Sequence, residues 1–210
     1  MRRVLVAAVA AVAALAMVVG TSPGWAASET IHLSSKGQRA EAFFATFDPS
    51  GCIITEVFVT ANDGKLRTGS GGPSVDSFAF MVVSQFDTCT STALIEANGT
   101  ATLDPGEFQI DKLDTATLGT AIELFDSVSG TSFVVDVDLT WSGVGAATTE
   151  RAHFQTMTET FKINRSFLGT FRSASAVGTV VDSGMNLTPD LAVFALLADV
   201  KSSELTVIHL

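Results

Sequence analysis

The stretch Ser132-Phe-Val-Val-Asp-Val-Asp-Leu-Thr-Trp141 decides the fold class. Phe133, Val135, Val137, Leu139 and Trp141 alternate with Ser132, Val134, Asp136, Asp138 and Thr140. An apolar period of two sends one face of a strand into a core and the other into water. Just before it, Ala116, Leu118, Thr120, Ile122 and Leu124 share one face of a second alternating segment, 115–125. Asp126-Ser-Val-Ser-Gly-Thr131 between them is turn chemistry, so 115–141 reads as a β-hairpin.

Outward from the hairpin, the spacing predicts further strands at 42–47, 52–61, 78–86, 92–97, 107–113, 151–163, 166–181, 191–200 and 204–210. Turn signals separate many of them: Asp48-Pro-Ser-Gly51, Asn62-Asp-Gly64, Asn98-Gly99, Asp104-Pro-Gly106 and Asp182-Ser-Gly184. Roughly ten short strands at this spacing describe an all-β protein, an antiparallel β-sandwich or barrel. Residues 191–198, LAVFALLA, also fit a short buried helix. A Phe-Asp pair closes a strand three times, at Phe47-Asp48, Phe86-Asp87 and Phe125-Asp126, each Asp placed to accept a turn N–H. The Gly-rich segment 62–77 reads as a mobile loop.

The chain has 210 residues, 47% hydrophobic and 16% charged, which suits one globular domain and excludes a disordered, collagen-like or coiled-coil class. Arg2 and Arg3 precede an unbroken run of Val, Ala, Leu and Met from Val4 to Val19, then Gly20–Gly24 and Gly24-Trp25-Ala26. This is the pattern of a secretory signal peptide cleaved after Ala26, leaving 27–210 as a single all-β domain. The expected location is secreted, extracellular, with no membrane span after cleavage and no lipidation Cys at the cleavage site. Without the leader the chain carries 10 basic and 22 acidic residues, a charge of −12. That balance argues against nucleic acid and anionic lipid as partners.

Cys52 and Cys89 are the two cysteines, and export favours a disulfide between them. In a meander the turns at 48–51 and 87–91 fall at one rim, which brings the pair together. Catalytic chemistry is sparse. Gly69-Ser70-Gly71-Gly72 is not a nucleophile elbow, and His32, His153 and His209 have no partner at metal-ligand spacing. Asp136 and Asp138 share a strand face about 7 Å apart, a separation glycosidases use, yet a solvated face explains them as well. Asp48, Asp87, Asp104 and Asp126, with Glu107 behind, are expected at one rim, where turn carboxylates could hold calcium. No other cofactor is implied.

Fifteen Phe, two Trp and no Tyr argue against the exposed stacking platforms of a carbohydrate-binding module. Asn98, Asn164 and Asn186 stand in N-x-[ST] acceptor patterns. The reading is therefore a secreted non-enzymatic binding or structural domain whose ligand, glycan or protein, the sequence does not identify. A carbohydrate-active hydrolase using Asp136 and Asp138, or a protein-binding inhibitor using the 62–77 loop, are the alternatives.

Overall fold

The computed structural model describes residues 29–68, 77–157, 161–182, 185–188 and 191–208. The chain is all-β. Its strands are β1 (Glu29–Phe47), β2 (Ile53–Thr68), β3 (Phe78–Asp87), β4 (Thr92–Thr102), β5 (Phe108–Asp111), β6 (Thr115–Asp126), β7 (Thr131–Gly143), β8 (Thr148–Met157), β9 (Phe161–Asp182), β10 (Met185–Asn186) and β11 (Phe194–Ile208). All ladders between them are antiparallel.

Pairing runs β1-β2-β3-β4-β6-β7-β9-β11 and returns to β1, so the sheet closes into a ring. The 115–141 hairpin is β6 and β7, paired from Thr115↔Ser142 to Asp126↔Thr131. Its apolar phase faces inward: Leu118, Ile122, Leu124, Val135, Leu139 and Trp141 are buried. Across the ring they meet Ala40, Ala42 and Phe44 of β1, Val57 and Val59 of β2, and Met81 and Val83 of β3. Trp141 fixes the packing, because its Nε1 donates to the Glu41 carbonyl at 2.8 Å. A buried indole N–H without a partner would be costly.

The ring has one weak seam. β4 and β6 share only two ladder pairs, Ala97↔Asp126 and Asn98↔Phe125. Gly99 permits the close crossing, since a Cβ there would lie 2.0 Å from the Glu123 carbonyl oxygen. Asp126 fastens it: its Oδ1 accepts the Glu96 N–H at 3.0 Å from β4 and the Val128 N–H at 3.0 Å from its own turn.

Several expected turns are strand instead. Asn98-Gly99 lies inside β4, and Asn62-Asp63-Gly64 inside β2, where Gly64 opposes Gly37 of β1. A Cβ on Gly37 would sit 2.6 Å from the Asp63 carbonyl oxygen, so these glycines serve close backbone approach and not chain reversal. The expected loop 62–77 thus begins as strand through Thr68, and 69–76 lie outside the described residues. The expected breaks near 164 and 202 are absent: β9 and β11 run unbroken from Phe161 and to Ile208. LAVFALLA is not helical, as β11 starts at Phe194 and the Ala192 and Val193 N–H groups donate to Ala176 and Phe43.

Those long strands build a second region. Beyond the ring, β8, the first half of β9, the second half of β11, the first half of β1 and the end of β2 continue as a five-stranded extension. β8 follows β7 along the same edge of β9 after a break at 144–147. Nine of its ten residues are exposed, so its strand pairing holds it and not a core. Gly37, Gly64 and Gly169 stand in one cross-strand row with Val200 where extension meets ring.

Candidate binding surface

The turn carboxylates come first. Asp48, Asp87 and Asp126 close strands at the end of the ring away from the extension. Each is occupied by its own turn. Asp48 accepts from Ser50 Oγ at 2.6 Å and the Ile53 N–H at 2.8 Å. Asp87 accepts the Cys89 and Thr90 N–H groups. The Ser129 hydroxyl, followed by the Glu96 N–H, brings the Asp126 carboxyl down to about 2. Hydrogen bonds to Ser50 and Thr90 likewise lower Asp48 and Asp87.

Asp104 is not with them. β4 continues through Asn98-Gly99, so Asp104 emerges at the opposite end, where the Leu103 N–H donates to Ser77 at the start of β3. Glu107 is there too, its carboxylate accepting the Asp104 N–H at 2.6 Å and the Thr120 hydroxyl at 3.1 Å. The expected four-aspartate rim is therefore not assembled. Among the described residues one group gathers three potential metal ligands, Cys52, Asp87 and Cys89. Its sulfurs are joined as the expected disulfide, with Cα atoms 5.3 Å apart.

Asp136 and Asp138 stand exposed on the outer face of β7, opposite Ala121 and Gly119 on β6 and Val181 and Thr179 on β9. The row of Asp136 continues through Val181 to Asn186, and Glu123 is exposed on the same face of β6. His32 lies in β1, His153 is exposed on β8, and His209 lies outside the described residues, as does the expected leader 1–26. Asn98 is exposed and Asn164 half-buried. The Asn186 side-chain oxygen accepts Thr188 donors.

The surface with chemistry to offer is one that net charge conceals. Of the ten basic residues beyond Arg3, nine fall in 29–39, 62–68, 148–173 and 199–208, which are the extension strands and their base. Residues 77–143, most of the ring, hold ten acids and only Lys112 as a base. The protein is strongly polarised.

Register places these cations in rows. Arg151, Leu168, Lys201 and Lys36 are successive cross-strand partners on β8, β9, β11 and β1, and Lys65 of β2 is next by register. The next row outward is His153, Ser166, Ser203 and Ser34. Directly paired residues share a face, and Lys36 alternates in phase with Ala40, Ala42 and Phe44. This face is therefore the continuation of the ring's interior side.

Lys36, Lys201 and Arg151 are exposed, and among the described residues none has an ion-pair partner. The partnered arginines lie elsewhere: Arg165 meets Glu204 at 2.5 Å on the opposite face, and Arg172 holds Asp114, the Leu113 carbonyl and the Gly145 carbonyl where extension joins ring. Lys201 and Lys36 face each other across the ladder with Cβ atoms about 5 Å apart, an arrangement that destabilises a sheet by itself. Asp199, paired with Gln38 and Thr170, marks the ring-side limit of the cationic row.

Two adjoining shallow depressions of about 360 and 700 Å³ lie on this face and share His153, Ser166 and Ser203. Arg151, Leu168, Lys201 and Phe167 are among those bordering the larger one, and Ser34, Asn164, Glu204 and Leu205 border the smaller. Ser166 and Ser203 hydroxyls are 2.6 Å apart in the shared floor. The arrangement offers cations, hydroxyls and the His153 imidazole over a broad, open surface; the Ser166 hydroxyl is paired with Ser203, and among the described residues no hydrogen bond joins it to His153. Sequence reasoning missed it because charge was summed over the chain; the signal was the crowding of bases into four short segments. Comparison with protein-family models, curated proteins and solved structures returns no match for this chain.

Proposed function

We propose that this protein is a non-enzymatic binding module that acts outside the cytoplasm, with its ligand seated on the five-stranded extension. The observation that carries this reading is the exposure of β8, nine residues in ten, in a region that adds little to the core. Ordering each residue costs about 1–2 kcal/mol of backbone entropy, and buried apolar area does not offset that here, so the segment is kept for its surface. The disulfide and the leader-like residues 1–26 support an oxidising compartment.

The test is amide hydrogen exchange of the purified protein against soluble glycans and envelope extracts, with each mixture also assayed for product release. The reading expects a ligand that protects β8 and 161–173 of β9 without turnover. Hydrolysis of any glycan, or protection confined to the ring, would overturn it. Less supports the alternatives: Asp136 and Asp138 lie with Glu123 on an open outer face, and 62–68 of the proposed inhibitory loop are β2.

A further inference from the structure

We propose that the ring-side face of the extension binds a linear carboxylated or sulfated polysaccharide, with Lys36, Lys201 and Arg151 as its anion contacts. This rests on the binding-module reading above and names the ligand class. Four observations carry it. First, these three exposed cations have no ion-pair partner among the described residues, although the chain has an excess of acids. Second, Lys36 and Lys201 are direct cross-strand neighbours, a repulsion that a bound polyanion relieves.

Third, the row runs across the strands, so its positions repeat every 4.8 Å or so, close to the length of one hexopyranose unit. An acidic sugar chain lying across the sheet can present anions to Lys36 and Lys201 on adjacent strands and, past Leu168, to Arg151. The adjoining Ser34, Ser203, Ser166 and His153 offer hydroxyl and imidazole partners to the ring oxygens and hydroxyls of the same chain. Fourth, among the described residues the face offers few aromatic side chains: His153 stands in its second row and Phe167 borders the larger depression. By register Phe154 and Phe167 alternate toward the opposite face with Arg165, so a row of rings on which successive bases could stack is not formed among the described residues. Its large apolar residues by register, Leu168, Leu205 and Met157, are interleaved with cations and hydroxyls and form no continuous apolar face of the kind that enters a bilayer interface. Together these observations favour a polyanion built of sugars without bases.

The experiment is titration of the purified protein with heparin and with alginate, alongside neutral dextran, oligothymidylate and phosphatidylserine vesicles. Each is measured from about 50 to 200 mM salt. Binding to heparin or alginate and not to dextran is expected, with affinity falling steeply as salt rises. Lys36→Glu should weaken it about tenfold or more, the scale of a lost charge-assisted contact. Lys112→Glu, which alters the same net charge on the ring, should leave it unchanged.

Lys36→Glu should also raise the Tm of the free protein by about 1–3 °C, because a repulsive pair becomes attractive. A merely structural lysine would not give weaker binding with greater stability. If Lys36→Glu does not fold, Lys201→Gln supplies both readouts. The proposal is overturned if neither polysaccharide binds, if Lys112→Glu weakens binding equally, or if oligothymidylate or vesicles bind more tightly. Should a neutral glycan or a protein protect the extension instead, the ligand class falls and the binding-module reading stands. Polysaccharide protection found on the ring defeats both.

Discussion

Ring and extension are made from the same strands, yet they obey different constraints. β1, β2, β9 and β11 run through both. In the ring, β1 presents Ala40, Ala42 and Phe44 to a closed core; a few residues earlier the same phase presents Lys36 and Ser34 to water. Burial stops where the sheet stops closing on itself, and the cations begin there. The difference teaches that strand pairing alone carries order well beyond a core, and that a chain can place stability and recognition in one continuous sheet.

The largest expected difference between the regions is in covalent bracing. The disulfide closes a 37-residue separation at the ring's far end. Replacing Cys52 and Cys89 together by Ser should cost about 4 kcal/mol in chemical denaturation, while polyanion binding by the folded fraction is unchanged. Next comes packing. Leu139→Ala, at a fully buried ring position, should cost about 2–5 kcal/mol, and Leu168→Ala, half-buried in the extension, less than about 1 kcal/mol. Equal costs would break the distinction.

Acid should attack the ring at its seam. The Asp126 carboxyl is held at about 2, below its ordinary 3.8, so its stabilisation is complete above 3.8 and lost as pH falls through about 2. Asp126→Asn should therefore unfold less steeply over that window, which an acid titration followed by circular dichroism will read. A variant as steep as the parent would remove Asp126 from the seam. The smallest effect is the gain in Tm from Lys36→Glu, a few tenths to 1 kcal/mol, and it has the opposite sign.

The sequence disclosed what local pattern encodes. The β6–β7 hairpin was legible because its period of two is uninterrupted and its turn is rich in Asp, Ser and Gly. The Cys52–Cys89 bridge followed from two turns at one rim. The long strands were not legible, because Asn62-Asp-Gly64 and Asn98-Gly99 are turn signals by composition. At both places glycine answers to a neighbouring strand, Gly64 to Gly37 and Gly99 to Glu123, and that neighbour is visible only in three dimensions. The misplacement of Asp104 followed from the same error, since an extra turn in β4 reverses which end comes next. The basic face was hidden for another reason: a net charge of −10 is a sum, whereas a ligand meets a local field.

The most direct test of the two-region account is native-state amide hydrogen exchange of the free protein, repeated with saturating heparin or alginate. The account predicts slow exchange in β6 and β7, governed by global unfolding, and fast exchange in β8 and 199–208 of β11. On adding the polysaccharide, protection should rise across β8, 161–173 of β9 and 199–208 of β11, with the ring little changed. Uniform protection of both regions in the free protein would contradict the division between them. Protection gained in β6 and β7 alone would contradict the placing of recognition on the extension.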